Sequence, residues 1–121
     1  MKKILIVDDR LEVRELVEVT LRSDDYRVLQ AESGEKAIEI ARAEKPDLIL
    51  MDVMMPGGMD GFEATRILKN DPETKDSTII MLTAKSQEVD RKKGFEVGAE
   101  DYFVKPFSPL NLIKKVEEVV G

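Results

Sequence analysis

Four short apolar runs, each ending in a charged or hydroxyl-bearing residue, constrain this chain more than any other feature. The runs cover residues 4–7, 48–51, 78–82 and 102–104, and they end in Asp8-Asp9, Asp52, Thr83 and Lys105. Apolar runs of this length are typical of strands that are buried on both faces of a parallel sheet. Because ligands bind at the carboxyl edge of open α/β sheets, we expect these side chains to form a functional edge.

Strand and helix patterns alternate five times along the 121 residues, a length suited to one domain. Strands are predicted at residues 3–8, 26–30, 47–52, 78–83 and 101–105. The alternation predicts a flavodoxin-like α/β fold, in which a doubly wound five-stranded parallel sheet carries five helices on its two faces. The expected strand order is 2-1-3-4-5, which brings the ends of strands 1 and 3 together.

Helix signals separate the predicted strands. The first helix has an apolar stripe at helical spacing: Val13, Leu16, Val17 and Leu21. Ser33 and Ser108 are predicted N-caps of the second and fifth helices, and the third helix begins after Asp60-Gly61. The fourth helix, after Ser86, is the weakest prediction, because Gly94 lies inside it and costs about 1 kcal/mol relative to alanine.

Composition removes several classes of chemistry. The chain contains no cysteine and no histidine, which excludes disulfides, thiolate nucleophiles, imidazole bases and zinc sites built on these ligands. Its formal net charge of −6 argues against direct binding of nucleic acid. No apolar run is long enough to span a membrane, and Asp8-Asp9 interrupts the N-terminal run before it could serve as a signal peptide. We therefore expect a cytoplasmic protein with no membrane contact.

The predicted strand order places three carboxylates, those of Asp8, Asp9 and Asp52, at one crevice. At a separation of about 5 Å and an effective dielectric constant near 20, each pair of charges repels by roughly 3 kcal/mol. A raised pKa or a bound cation would relieve this repulsion, and an all-oxygen site favours Mg²⁺, Mn²⁺ or Ca²⁺. Simpler structural roles are open for each residue alone: Asp9 as a helix cap, or Asp52 as a turn residue.

Five segments in this order resemble the motifs of response-regulator receiver domains of two-component signalling. They are Asp8-Asp9, residues 52–56 (Asp-Val-Met-Met-Pro), Met59-Asp60-Gly61, Thr83-Ala84 and residues 105–107 (Lys-Pro-Phe). The spacings match along essentially the whole chain, and the resemblance is nearest to single-domain, chemotaxis-type regulators. It implies that residues 1–121 form one receiver, or phosphoacceptor, domain.

The resemblance also implies roles for individual residues. Asp52 would accept a phosphoryl group from a phosphohistidine on a sensor histidine kinase or a histidine phosphotransfer protein. Mg²⁺, or Mn²⁺ in its place, would be held by Asp8 (through water), Asp9, Asp52 and the backbone carbonyl of Met54. Thr83 and Lys105 would contact the phosphoryl oxygens, and Tyr102 would change rotamer on activation.

The implied protein is a signalling switch and not a metabolic enzyme. Phosphorylation would alter the face formed by helix 4, strand 5 and helix 5, which would then relay the signal to a downstream target protein. The chain would be a monomer or a weak dimer that depends on phosphorylation. Two alternatives are a Mg²⁺-dependent hydrolase of small phosphate esters that uses an aspartyl phosphate, and a pseudo-receiver that only binds partners.

Three details of the sequence refine this expectation. Gly57-Gly58 makes the loop before Met59 one residue longer than the commonest family spacing. Met54 and Lys85 stand at positions that tune the phosphoryl lifetime in the family, and neither is suited to positioning a hydrolytic water, so self-dephosphorylation is expected to be slow. The Lys105-Pro106 bond is a candidate cis peptide.

Overall fold

A computed structural model describes residues 1–83, 88–105 and 108–120, with the backbone alone for residues 88–90. Its strands are β1 (Lys2–Val7), β2 (Tyr26–Ala31), β3 (Leu48–Asp52), β4 (Thr78–Thr83) and β5 (Asp101–Val104). Its helices are α1 (Leu11–Leu21), α2 (Gly34–Glu44), α3 (Gly61–Lys69), α4 (Glu88–Glu96) and α5 (Pro109–Val120). All neighbouring strands pair in parallel, in the order β2-β1-β3-β4-β5. The predicted fold and strand order are confirmed.

The sheet has a hydrophobic cluster on each face because successive strand residues point to opposite sides. In β1, Leu5 and Val7 belong to the cluster that packs under α2 and α3. Ile4 and Ile6 belong to the cluster that packs under α1 and α5. All four side chains are fully buried. This two-sided burial explains why the central strands read as continuous apolar runs.

Side-chain caps begin three of the helices: two are the predicted caps Ser33 and Ser108, and the third is Asp60, which was expected only to precede its helix. Ser33 accepts a hydrogen bond from the Lys36 amide at 3.1 Å. The Asp60 carboxylate accepts one from the amide of Glu63 at 2.8 Å, and the Ser108 hydroxyl accepts one from the amide of Asn111 at 3.1 Å. Each cap satisfies an amide that has no partner within its own helix.

Helix α1 departs from the sequence prediction in two ways. The residue that directly precedes the helix is Arg10, whose side chain forms no capping hydrogen bond. Asp9 therefore does not take the alternative role of helix cap. Leu16 was placed on the apolar stripe, yet it is 50% exposed, whereas Val17 and Leu21 are buried. The buried sector of α1 is centred on Val17 and Leu21, and successive residues are rotated by about 100° on a helix, which carries Leu16 outward.

Gly94, the residue that weakened the prediction of α4, is buried where the helix packs against β4. A Cβ atom at this position would lie 3.3 Å from Cγ of Met81. Glycine therefore lets the helix approach the sheet closely, which offsets its low helix propensity. Among the helices of the described residues, none has the length and apolar character that crossing a membrane requires.

Candidate functional site

The carboxyl edge of the sheet brings the predicted acidic residues together. Val7 of β1 pairs with Met51 of β3. The residues that follow them on the two strands, Asp8 and Asp52, therefore lie side by side. Asp8, Asp9 and Asp52 each offer one carboxylate oxygen, and these three oxygens lie within 4.8 Å of one another. The acidic cluster that was predicted from strand order thus forms a compact group of oxygen ligands.

Asp8 is held firmly at the junction of β1 and α1. Its side chain is fully buried, and its Oδ1 accepts a hydrogen bond of 2.9 Å from the Arg10 amide. Its backbone carbonyl accepts a second bond, of 2.7 Å, from Nη1 of Arg14. Its Oδ2 accepts a third, of 2.8 Å, from Nζ of Lys105. Both carboxylate oxygens of Asp8 therefore already accept hydrogen bonds from the protein.

Lys105 bridges the two buried carboxylates. Its Nζ donates to Asp8 at 2.8 Å and to Oδ1 of Asp52 at 3.0 Å. Burial lowers the pKa of Lys105, but its hydrogen bonds to Asp8 and Asp52 and their negative charges outweigh burial and hold the pKa above its ordinary value of 10.5. Lys105 is therefore a permanent cation between two anions.

Burial in the folded protein shifts the pKa of Asp52 strongly. Burial, the strongest influence, raises its pKa from the ordinary value of 3.8 to about 6. The charge of Lys105 lowers this pKa, and the charges of Asp8 and Asp9 raise it. The residue is only 5% exposed. Ionisation of Asp52 is therefore harder in the folded protein than in the unfolded chain, because burial outweighs the attraction of Lys105.

This raised pKa predicts how stability depends on pH. The protonated carboxyl of Asp52 favours the folded state, and that contribution is complete below pH 3.8 and lost as the pH rises through about 6. In metal-free buffer at pH 7.5, the free energy of unfolding of the Asp52→Asn variant should therefore be about 3 kcal/mol higher than that of the wild type. Urea denaturation at several pH values measures this difference. It should shrink toward zero near pH 4, and a difference that is independent of pH would contradict the prediction.

The cluster fits a divalent cation by the chemistry of its ligands. The three carboxylates supply only oxygen, the ligand type that Mg²⁺ and Mn²⁺ prefer. Asp9 is exposed whereas Asp8 and Asp52 are buried, so the group opens to solvent on one side. One cation bound there would counteract the burial and the neighbouring negative charges that together raise the pKa of Asp52. The residues therefore suit a magnesium site.

The comparison with protein families settles the class of the chain. The family model of the response regulator receiver domain matches residues 4–117. The chain belongs to the response-regulator receiver family. The resemblance found in the sequence motifs is thereby confirmed.

Relatives of this receiver domain include regulators and kinases. It is 47% identical to the phosphate regulon transcriptional regulatory protein PhoB of Pseudomonas aeruginosa. The match covers 98% of this chain and 52% of PhoB. The chemotaxis protein CheY4 of Vibrio cholerae shares its fold with a TM-score of 0.93 and 36% identity, over 99% of both chains. A third similar protein is the receiver domain of the Pseudomonas aeruginosa sensor histidine kinase PA1611, with a TM-score of 0.88 and 33% identity over 99% of this chain and 98% of that one. That structure was solved with a magnesium ion coordinated in its active site cleft.

The chain spans about half the length of PhoB and of the other first curated relatives that it matches. It spans 99% of CheY4. The receiver domain is therefore the part that all of these proteins share with it.

Thr83 and Met54 are two further predicted residues of the receiver site. Asp52 pairs with Leu82, which places Thr83 one residue further along the neighbouring strand. Thr83 is buried, and its carbonyl accepts a hydrogen bond of 2.6 Å from the amide of Lys105. Met54 is 72% exposed. Ala84, Lys85 and Pro106 lie outside the described residues, so the predicted cis bond is not among the features described.

Tyr102 of β5 lies within the face that was predicted to switch. It is half-buried and packs partly against the core cluster under α2 and α3. The guanidinium carbon of Arg91 lies 4.3 Å from the centroid of its ring, and the ring of Phe95 meets it edge-on at 6.3 Å. Tyr102 is therefore held by two residues of α4, which connects strand β5 to that helix.

Two residues support the site in ways that the sequence did not indicate. A Cβ atom on Gly61 would lie 2.1 Å from the carbonyl oxygen of Asp52, so only glycine allows α3 to begin against β3. Arg14 donates through Nη1 to the carbonyl of Asp8 and through Nε to the side chain of Gln30. Gly61 was visible as part of a motif, but its steric role was not, and Arg14 carried no signal.

Proposed function

We propose that this receiver domain accepts a phosphoryl group on Asp52 from a phosphohistidine of a partner protein. The observation that carries the proposal is the convergence of Asp8, Asp9 and Asp52 around Lys105 at one edge of the sheet. Membership of the response-regulator receiver family supports it. The partner would be a sensor histidine kinase or a histidine phosphotransfer protein, because this chain contains no histidine of its own.

Mg²⁺ would be held by Asp9, Asp52 and the backbone carbonyl of Met54, with Asp8 acting through water. The indirect role of Asp8 is supported by its two carboxylate oxygens, which already accept hydrogen bonds from Arg10 and Lys105. The magnesium ion in the active site cleft of the PA1611 receiver domain supports the choice of metal. Bound there, the cation would neutralise the negative charges that meet when a carboxylate approaches a phosphoryl group.

The transfer itself would be a displacement at phosphorus. An oxygen of the Asp52 carboxylate would form a bond to phosphorus while the phosphorus–nitrogen bond of the partner's phosphohistidine breaks, and the nitrogen would keep the electron pair. Lys105, which already contacts Asp52 at 3.0 Å, would donate hydrogen bonds to the incoming phosphoryl oxygens. Thr83, on the adjacent strand, would supply a hydroxyl donor to the same group.

Signal output would follow from the link between the site and β5. The carbonyl of Thr83 is bonded to the amide of Lys105, so a shift of the Thr83 segment toward the phosphoryl group would be felt directly at the end of β5. Tyr102 lies on that strand, against Arg91 and Phe95 of α4. The face formed by α4, β5 and α5 would change with the rotamer of Tyr102 and thereby recruit a downstream target.

The phosphoryl group on Asp52 would be lost slowly. Met54 projects into solvent two residues after Asp52 and offers neither an acid nor a base to orient water. Spontaneous hydrolysis would therefore proceed with little help from the protein, as suits a signalling protein and not a metabolic enzyme. The proposal also includes one receiver domain over residues 1–121. The protein would be cytoplasmic, and it would be a monomer or a weak dimer that depends on phosphorylation.

Incubation with acetyl phosphate and Mg²⁺, followed by intact mass measurement, tests the proposal. We expect one phosphoryl adduct on the wild-type protein, its near-complete loss in Asp52→Asn, and its loss when Mg²⁺ is removed with a chelator. Asp76→Asn is the matched control, since Asp76 is an exposed aspartate outside the acidic cluster, and it should form the adduct normally.

Other outcomes would point to other functions. Absence of an adduct on the wild-type protein would favour a pseudo-receiver that only binds partners. Rapid multiple turnover of small phosphate esters would favour a hydrolase. An adduct that persists in Asp52→Asn would contradict the assignment of Asp52 as the acceptor.

A further inference from the structure

We infer that Arg14 is a positioning residue of the magnesium site: it holds the peptide that joins Asp8 to Asp9, and thereby sets the position of the Asp9 carboxylate. The inference rests on the proposed function, in which Asp9 and Asp52 ligate Mg²⁺. It gives a role in metal binding to a residue of α1 whose own side chain is not a metal ligand. The hydrogen bonds of the Arg14 guanidinium carry the argument.

Asp9 is the member of the acidic cluster whose side chain has the least support. Asp8 accepts hydrogen bonds on both carboxylate oxygens, and Asp52 accepts one from Lys105. Within residues 1–83, 88–105 and 108–120, no hydrogen bond or ion pair holds the exposed carboxylate of Asp9. The position of that carboxylate therefore depends on the backbone that carries it.

The backbone at Asp8 is held from two sides. Its amide donates to the carbonyl of Ala31 at 3.1 Å, and its carbonyl accepts a hydrogen bond of 2.7 Å from Nη1 of Arg14. The carbonyl of Asp8 and the amide of Asp9 belong to one planar peptide unit. Holding that carbonyl therefore holds the plane from which Asp9 projects.

Arg14 is in turn oriented by β2. Its Nε donates to Oε1 of Gln30 at 3.1 Å, and Nε2 of the same amide donates to Glu18 at 3.1 Å. Because the guanidinium is planar and rigid, its bonds to the Asp8 carbonyl and to Gln30 together fix its orientation. Gln30 directly precedes Ala31 on β2, so two neighbouring residues of one strand support both sides of the Asp8 backbone.

The charge of Arg14 alone would act in the opposite direction. A guanidinium repels a divalent cation, so removing it without any change of geometry would strengthen Mg²⁺ binding. Losing its hydrogen bonds would release the Asp8–Asp9 peptide and weaken Mg²⁺ binding. Residues that orient metal ligands typically contribute about 10–100-fold to metal affinity, whereas salt screens the repulsion. The sign of the change in Mg²⁺ affinity therefore separates positioning from simple charge.

Isothermal titration calorimetry of the unphosphorylated protein with Mg²⁺ tests the inference without a kinase. The variants are Arg14→Met, Arg14→Lys and Gln30→Met, with Arg22→Met as the matched control. Arg22 lies directly after the same helix, its side chain is 71% exposed, and it pairs with Glu18 at 3.7 Å. Circular dichroism checks that each variant is folded at the temperature of the titration.

We expect Arg14→Met to raise the dissociation constant for Mg²⁺ about tenfold. Arg14→Lys keeps the charge but not the rigid fork of donors, so its dissociation constant should lie between those of Arg14→Met and the wild type. Gln30→Met leaves Arg14 in place without its support and should raise the constant by a smaller factor than Arg14→Met. Arg22→Met should match the wild type.

Phosphorylation by acetyl phosphate gives a second readout, which a purely structural role would not produce. The Mg²⁺ concentration that gives half the maximal rate of adduct formation should rise about tenfold in Arg14→Met. The rate at saturating Mg²⁺ should stay near that of the wild type, because Arg14 acts through a metal ligand and not on the phosphoryl group.

Three results would overturn the inference while leaving the proposed function intact. They are Mg²⁺ binding by Arg14→Met that equals or exceeds that of the wild type, an equal loss of affinity in Arg22→Met, and slow adduct formation that saturating Mg²⁺ does not restore. If Arg14→Met does not fold, wild-type affinity in both Arg14→Lys and Gln30→Met overturns it instead.

The wild-type protein distinguishes failure of this inference from failure of the proposed function. If the wild type takes up no Mg²⁺ or forms no adduct at Asp52, the proposed function fails and the inference fails with it. If the wild type does both, the variants alone decide the role of Arg14.

Discussion

Gly61→Ala is expected to destabilise the fold by roughly 3 kcal/mol and to impair phosphorylation at the same time. A Cβ atom at position 61 would lie 2.1 Å from the carbonyl oxygen of Asp52 and 3.0 Å from Cα of Val53. Both contacts are with backbone, which cannot move aside as the end of a flexible side chain can. The Gly61 amide also donates to the carbonyl of Val53, so moving α3 away would break that bond and displace Asp52.

Urea denaturation of Gly61→Ala and its rate of adduct formation with acetyl phosphate measure the two effects. Gly58→Ala is the matched control, because it makes the same substitution in the loop that leads into α3. The atom nearest to a Cβ there would be Oε2 of Glu35, at 3.1 Å, which is the far end of a flexible side chain. We expect the free energy of unfolding of Gly58→Ala to lie within about 0.5 kcal/mol of the wild-type value. If the two variants were equally stable, the steric role of Gly61 would be wrong.

Lys105→Met is expected to lower the free energy of unfolding by about 3 kcal/mol in metal-free buffer at neutral pH. Removing the ammonium leaves Asp8, which is fully buried, and Asp52 facing each other without a cation. Breaking a buried ion pair by removing one partner is strongly destabilising, because a charge stays behind without compensation. Methionine keeps much of the side-chain volume, so the loss reports mainly on charge.

Magnesium should restore part of this stability. A divalent cation would replace the missing positive charge, so Mg²⁺ should stabilise Lys105→Met more than it stabilises the wild type. Thermal and urea unfolding with and without Mg²⁺ measure both effects. Lys115→Met is the matched control: Lys115 pairs with Asp101 at 2.8 Å, but both side chains are partly exposed, and the loss should be about 0–1 kcal/mol. Equal losses in the two lysine variants would refute the prediction.

Features that depend on nearby residues could be predicted from the sequence. The caps formed by Ser33 and Ser108 are such features, since each hydrogen bond joins residues three apart. The strands were predicted because burial on both faces of a parallel sheet demands continuous apolar runs. The strand order then placed Asp8 beside Asp52, which the structure confirms.

Features that depend on how elements pack could not be predicted. Leu16 fits an apolar stripe by spacing alone, and only the orientation of α1 on the sheet turns it toward solvent. Gly94 lowers helix propensity, and only the closeness of Met81 explains why glycine is there. Aspartate is a favoured capping residue, yet the residue that directly precedes α1 is Arg10 and not Asp9, and the Arg10 side chain forms no capping hydrogen bond.

The sequence by itself determined the elements, their order and the side chains that reach the carboxyl edge, because hydrophobic periodicity and capping are local properties. The tertiary structure alone decided how those side chains meet. The hydrogen bond between Lys105 and Asp8 joins residues 97 apart in the chain. The contact between Gly61 and the backbone of Asp52 depends on where α3 is seated. Such distances follow from packing in three dimensions, which no local pattern in the chain records.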